Sequence, residues 1–146
     1  MERARRTLEQ ELRDARALIN RLSPAEAFER AESGALIVDI RSELDRERLG
    51  VVPGSLHVPR TVLEWRLEPG GAWCNPHVGG VERRIILLCD HGFSSVLAAA
   101  AVVRLGYAEV ADVVGGFDAW REAGLPTAPP AWQRSDGELA GMRGPD

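Results

Sequence analysis

An α/β fold with a mainly parallel central sheet is predicted by three observations. Short, almost wholly apolar segments at residues 35–40, 84–89 and 110–114 are typical of strands that are buried on both faces. Segments with helical patterns or helix-capping residues lie between them. Strands that alternate with helices along a chain in this way pair in parallel. The length of 146 residues suits one such domain with short extensions.

The composition predicts a cytoplasmic globular protein. Apolar residues make up 45% of the chain and charged residues 27%, which are ordinary fractions for such a protein. A run of about 18 apolar residues, which a membrane span requires, does not occur, and the first residues are charged rather than the start of an apolar signal segment. The formal net charge of −4 argues against nucleic acid as a partner. We expect a monomer or a homodimer.

Two helices are predicted before the first buried strand. Apolar residues recur at helical spacing through residues 3–22, which indicates an amphipathic N-terminal helix. This helix either packs on the domain or provides a dimerisation surface. The second helix begins at Ser23, which forms a capping box with Glu26, and it ends at Gly34.

The remaining elements follow from apolar runs bounded by glycine, proline and polar residues. In chain order they are a turn at 51–55, a strand at 56–58, a helix at 61–67, a loop at 68–80, a helix from Ser94 or Ser95 to 105, and a helix at 117–123. The proline-rich segment 128–146 is predicted to be a flexible tail. The predicted domain therefore covers residues 23–127, with the N-terminal helix assigned to residues 1–22.

The segment that carries chemistry is the turn after the strand at 84–89. Cys89 ends this strand, and the carboxyl ends of parallel strands are where α/β sheets place their ligand sites. Gly92 allows a tight turn into the helix that begins near Ser94. Inward-pointing amides and the helix N-terminus would favour a thiolate or a bound anion. A cysteine that merely completes a core strand is the alternative, and the glycine-containing turn favours a functional thiol.

The loop differs from that of cysteine-dependent phosphatases. Those enzymes place an arginine six positions after the cysteine, where it clamps the phosphoryl group. Ser95 occupies that position here, and no basic residue occurs between Cys89 and Arg104. The sequence therefore argues against a phosphatase.

Five motifs together resemble the rhodanese family, in particular its single-domain members in actinobacteria. In chain order they are Val38-Asp39-Ile40-Arg41, the segment 53–59 (PGSLHVP), the loop 89–95 (CDHGFSS), the segment 115–120 (GGFDAW) and Gly124-Leu125-Pro126. The resemblance covers residues 23–127. It implies a three-layer fold with a five-stranded, mainly parallel sheet flanked by helices, and a sulfurtransferase or persulfide carrier that needs no metal and no cofactor.

The resemblance also implies roles for single residues. Cys89 would take a sulfane sulfur from a donor as a persulfide and pass it to an acceptor in a ping-pong reaction. The loop residues Asp90, His91, Gly92, Phe93, Ser94 and Ser95 would surround the persulfide, with their amides and the two serine hydroxyls donating hydrogen bonds. Arg41 would pair with Asp39 or face the pocket, and Arg60 and Arg66 are candidates for the pocket rim.

Asp90 and Ser94 depart from the pattern of thiosulfate-using rhodaneses, which usually carry basic residues at these positions. A carboxylate beside the sulfur repels a dianionic donor, so a small-molecule or protein persulfide is the expected donor. A rhodanese-like binding module with little turnover is the alternative interpretation. A redox-sensing or arsenate-reductase-like thiol is a third, although Cys74 is expected to be idle rather than a resolving cysteine.

Overall fold

Five parallel strands form one sheet in the computed structural model, which describes residues 3–130 of the chain. The strands are β1 (Asn20–Leu22), β2 (Leu36–Asp39), β3 (Leu56–His57), β4 (Ile85–Leu88) and β5 (Val110–Val113). Their order across the sheet is β1-β5-β4-β2-β3, and every pairing between them is parallel. The predicted fold class is confirmed.

Helices cover both faces of this sheet and make the fold three-layered. They are α1 (Leu8–Leu18), α2 (Pro24–Glu32), α3 (Glu43–Leu49), α4 (Leu63–Leu67, after a 3-10 turn at Arg60–Val62), α5 (Ser94–Arg104) and α6 (Gly116–Glu122). Helices α4 and α5 pack on one face, and α2 and α6 pack on the other. The predicted capping box of Ser23 and Glu26 begins α2. Within the described residues, none of the helices is long and apolar enough to cross a bilayer.

The central strands divide their side chains between these two helical layers. Ile85 and Leu87 of β4 pack with α4 and α5, whereas Ile86 and Leu88 pack with α2 and α6. All four residues of β2, β4 and β5 are buried, which explains why these strands are almost continuously apolar in sequence. The core therefore lies on both sides of β4, the strand that leads into the cysteine loop.

The N-terminal segment differs from its prediction at its C-terminal end. The helix stops at Leu18, Ile19 is extended, and Asn20–Leu22 forms the edge strand β1 beside β5. A three-residue strand has no local signal of its own, because pairing with β5 is what stabilises it. Helix α1 packs on α5 through Ala15, which agrees with the packing alternative for this helix.

Helix α3 was not predicted, although its boundaries have recognisable signals. The Ser42 side chain accepts a hydrogen bond from the Asp45 amide at its start, and Gly50 ends it with a φ of +91°. At the other end of the domain, Ala128 and Val51 exchange two backbone hydrogen bonds, so the first residue assigned to the flexible tail belongs to the folded domain. Residues 131–146 of that tail lie outside the described part of the chain.

Candidate active site

Cys89 immediately follows β4, and only 5% of its surface is exposed. The Gly92 amide donates a hydrogen bond to its Sγ atom at 3.1 Å, so the loop folds back over the sulfur. Helix α5 begins at Ser94, five residues after the cysteine, and its N-terminus carries a partial positive charge. A thiolate or persulfide at this position gains a direct amide donor and a favourable helix end.

The loop is fixed from the other side by the start of α6. The amides of Phe117 and Asp118 donate to the carbonyl oxygens of Cys89 and Asp90, at 2.8 and 3.1 Å. This close approach requires glycine at position 116, where a Cβ atom would lie 2.5 Å from the Cys89 carbonyl oxygen. The first amides of α6 therefore hold the loop backbone. The N-terminus of α5 is not used in this way and can stabilise a negative charge on the sulfur.

Arg41 lies in the protein interior behind the loop. Its side chain has no exposed surface and binds Asp39 through Nε at 3.1 Å and Nη2 at 2.8 Å, and Nη2 also donates to the Gly50 carbonyl oxygen. The guanidinium carbon lies 3.9 Å from the ring centroid of Phe117. The Asp39–Arg41 pair expected from the sequence is present, and Arg41 is buried rather than at a pocket rim.

Asp90 is the acidic residue beside the sulfur, and other charges surround it. Its Oδ1 lies 4.0 Å from Nη1 of Arg41, and the Asp45 carboxyl on α3 is close enough to affect its pKa. Burial, followed by the interaction with Asp45, raises the pKa of Asp90 to about 6, against the opposing effect of Arg41. Burial and the neighbouring carboxyl therefore disfavour the charged form of Asp90.

His91 and Phe93 form the exposed rim of the loop. The Nδ1 atom of His91 lies 2.7 Å from Oδ2 of Asp118 on α6, and both side chains are largely exposed. Phe93 is 77% exposed, and its ring centroid is 6.5 Å from that of His91. These two rings form an exposed surface on the cysteine loop.

The two serines of the loop have different positions. Ser94 is exposed at the first position of α5. Ser95 is fully buried, and its hydroxyl donates to Oδ2 of Asp112 on β5 at 2.8 Å. The expectation that both hydroxyls bind the persulfide is therefore wrong for Ser95, because its proton is engaged by a buried carboxylate.

Arg21 and Asp112 belong to the site but were not identified from the sequence. Arg21 on β1 binds both oxygens of Asp112, each at 3.0 Å, and its Nη2 also donates to the Gly92 carbonyl oxygen at 3.1 Å. Asp112 was a recognisable signal, because a carboxylate within a buried apolar strand requires a cationic partner. Arg21 could not be identified because the sequence predicts a helix for its segment, and a helix there would not pair with the strand that carries Asp112.

Arg60 and Arg66, the other two candidates for the pocket rim, do not contact the loop within the described structure. Arg60, in the 3-10 turn, pairs with Glu64 of α4 at 2.8 Å. Arg66 is buried with its charge close to Cys74. Burial raises the pKa of the Cys74 thiol, and Arg66 only partly offsets this effect. Cys74 is therefore less nucleophilic at neutral pH than an exposed cysteine would be.

Residues 23–123, which include β2 to β5 and the whole cysteine loop, match the rhodanese-like domain. The chain belongs to the rhodanese family. This rhodanese domain is also similar over most of its length to enzymes named thiosulfate sulfurtransferase GlpE, and it is a rhodanese-like sulfurtransferase.

Two of these enzymes and one solved structure illustrate the similarity. The Haemophilus influenzae (strain PittEE) enzyme is 31% identical over 106 residues, which cover 72% of this chain and 90% of that protein. The Ectopseudomonas mendocina enzyme is 34% identical over 101 residues, covering 69% and 84%. A Rhodopseudomonas palustris protein of unknown function, described as a possible tyrosine phosphatase, superposes with a TM-score of 0.78 at 32% identity, covering 88% of this chain and 98% of that one.

Proposed function

We propose that this rhodanese domain transfers sulfane sulfur through a persulfide on Cys89, by a ping-pong reaction in the cytoplasm. The observation that supports this proposal is the buried Sγ atom, which accepts the Gly92 amide at the N-terminal end of α5. An amide donor and a helix end stabilise an anionic sulfur both before and after it receives a second sulfur atom. The mechanism uses no metal and no cofactor.

With thiosulfate as donor, the reaction consists of two displacements. The Cys89 thiolate attacks the outer sulfur, a new S–S bond forms, and the old one breaks as sulfite leaves with the bonding electrons. The product is a Cys89 persulfide anion. A nucleophilic acceptor, such as a thiolate, then attacks the outer sulfur of the persulfide and regenerates the Cys89 thiolate. Each step conserves charge and requires no oxidant.

The donor depends on Asp90. The names of the related enzymes favour thiosulfate, whereas a carboxylate beside the sulfur repels a dianion. A pKa of Asp90 raised to about 6 is compatible with both arguments. Below this pH the carboxyl is neutral and does not repel thiosulfate; above it, a persulfide donor that carries less charge is favoured.

Asp90→Asn is therefore expected to increase kcat/KM for thiosulfate at pH 8, by about three- to tenfold if the removed repulsion acts near a protein surface. In the parent protein the thiosulfate rate, relative to that with cysteamine persulfide, whose ammonium group offsets the charge of its persulfide, should decrease as the pH rises through about 6, because Asp90 becomes charged. In the variant this decrease should be absent. Steady-state kinetics with both donors between pH 5 and pH 8.5 measures both effects.

Asp14→Asn is the matched control, since Asp14 is an exposed acid on α1. It removes the same charge from the protein and should leave the ratio of the two rates unchanged. A decrease through pH 6 that persists in Asp90→Asn would show that another group controls the choice of donor.

Mass spectrometry of the intact protein and of its peptides tests the persulfide itself. Protein with Cys74→Ser is incubated with thiosulfate, or with glutathione persulfide, and separated from the donor. The expected result is a gain of one sulfur atom on the peptide that contains Cys89, which is lost on addition of a thiol acceptor. If neither donor adds sulfur to Cys89, the proposed mechanism is wrong and a binding module is the better interpretation of the fold.

The phosphatase description of the Rhodopseudomonas palustris protein does not extend to this site. The position where a phosphatase places its arginine is Ser95, whose side chain is buried against Asp112. Arg21, which shares Asp112 with Ser95, is already bound to that carboxylate and to the Gly92 carbonyl oxygen. A dianionic phosphoryl group would therefore lack its bidentate clamp.

A further inference from the structure

A network of hydrogen bonds joins the edge strand β1 to the cysteine loop. Asp112 is completely buried and accepts three hydrogen bonds, two from Arg21 and one from Ser95. Arg21 contributes a third bond of its own, to the Gly92 carbonyl oxygen. The planar guanidinium can reach both acceptors because its N–H groups lie in a fixed fork. Arg21 therefore connects a buried anion of the sheet with the backbone of the loop.

This contact determines the direction of the loop amides. Gly92 is held on both sides, since its amide donates to the Cys89 sulfur and its carbonyl oxygen accepts from Arg21. In a trans peptide the C=O and the following N–H point in opposite directions, and the described chain contains no cis peptide. Because Arg21 holds the Gly92 carbonyl oxygen, the Phe93 amide is fixed in the opposite direction, and the orientation of this loop peptide is set.

The charge of Arg21 acts in the same direction. The loop itself contains no arginine or lysine, and Asp90 places an acid next to the sulfur. The pKa of Arg21 is raised, mainly by the hydrogen bonds to Asp112 and in part by the charge of the Cys89 sulfur. Asp112 is the counterion that fixes the position of this cation, which polarises the Gly92 peptide.

We propose that Arg21, which lies outside the matched rhodanese region, is a positioning residue that holds the cysteine loop in its anion-stabilising form through the Gly92 carbonyl. Part of the cationic contribution that the loop lacks comes from the edge strand β1, supported by Asp112. The inference rests on the proposed role of Cys89 as a sulfur nucleophile. It identifies Arg21 and Asp112 as determinants of Cys89 reactivity.

The test measures alkylation of Cys89 by iodoacetamide as a function of pH, in protein with Cys74→Ser. Removing Arg21 alone would leave Asp112 buried without a counterion, so the main variant is Arg21→Gln with Asp112→Asn. These amides can retain hydrogen bonds without the charges. The rate at pH 7 should fall by about tenfold, as expected for the loss of one charge-assisted hydrogen bond, and the rise in rate should move to higher pH.

Two further variants make the outcome decisive. Arg21→Lys keeps the charge opposite Asp112 but lacks the fork, so its profile should lie between those of the parent and the double variant. Arg84→Gln is the matched control, because Arg84 also donates to a backbone carbonyl, that of Ser33, away from the loop. Its profile should equal that of the parent, and circular dichroism verifies folding of each variant.

The inference is wrong if Arg21→Lys and the double variant both show the same dependence of the Cys89 alkylation rate on pH as the parent protein. If the double variant does not fold, Arg21→Lys alone decides by the same criterion. Alkylation requires no sulfur donor, so this result is independent of the persulfide experiment. A domain whose Cys89 never gains sulfur could still show the Arg21 effect, and a domain that transfers sulfur could lack it.

Discussion

Cys89→Ala is expected to abolish sulfur transfer, by at least about a thousandfold, the order of loss seen when a catalytic nucleophile is removed. No other described thiol can replace it, because Cys74 lies away from the loop and burial raises its pKa. The fold should remain, since Cys89 is one small side chain at the edge of a large core cluster and its truncation costs on the order of 1 kcal/mol. Transfer rates with thiosulfate and glutathione persulfide, together with urea unfolding, measure both quantities.

Cys74→Ala is the matched control for this experiment. It removes the other cysteine and should retain the parent transfer rate. A Cys89→Ala protein that still transferred sulfur at the parent rate would contradict the mechanism, and loss of transfer in both variants would instead indicate a reaction that needs two cysteines.

Gly116→Ala is expected to have the second largest effect, because it separates the loop from α6. Gly116 has a φ of +63°, and an added Cβ would lie 2.5 Å from the Cys89 carbonyl oxygen and 2.6 Å from the Asp90 carbonyl carbon. Backbone atoms cannot move aside as a flexible side chain can. The loop or the start of α6 must shift, and the hydrogen bond between the Phe117 amide and Cys89 is lost.

The expected loss in kcat/KM is about a hundredfold, since misplacement of a reacting group by about 1 Å has this effect. The free energy of unfolding should also fall by more than the roughly 1–2 kcal/mol that the left-handed conformation alone costs alanine. Gly124→Ala separates these contributions, because Gly124 has a similar φ of +73° with no atom within 4 Å of its added Cβ. Gly124→Ala should lose only the stability that the left-handed backbone conformation costs alanine, and it should retain sulfur transfer.

Equal effects of Gly116→Ala and Gly124→Ala on transfer would show that the close approach between α6 and the loop is unimportant. Urea unfolding of both variants, together with their transfer rates at saturating and limiting donor, provides the comparison. A loss confined to kcat would indicate a displaced sulfur rather than weaker donor binding.

The fold could be predicted because its main signals are local. The strands β2, β4 and β5 are apolar runs of their own, and Ser23 and Glu26 mark the start of α2 by their spacing alone. Cys89 could be identified for the same reason, since the strand, Gly92 and the following helix are adjacent in sequence. These features require no knowledge of distant contacts.

The features of the site that could not be predicted from the sequence depend on residues that are far apart in the chain. Arg21 and Asp112 meet only because β1 pairs with β5, 91 positions away. The effect of Asp45 on the pKa of Asp90 depends on the placement of α3 beside the loop. Ser95 was assigned to the sulfur because it is near Cys89 in sequence, whereas its hydroxyl points to a neighbouring strand. Local patterns indicate which residues belong to the loop but not the charges that surround it.

The two outermost strands of the sheet are very short, three residues in β1 and two in β3. An exposed strand edge is the usual template for adding a strand from a second molecule, and such addition needs a longer unpaired backbone. Edge-to-edge aggregation is therefore disfavoured at both edges of this sheet, and the short length of the edge strands is enough to explain this. Three residues are nevertheless enough for β1 to place Arg21 beside Asp112 of β5 and within reach of the Gly92 carbonyl oxygen.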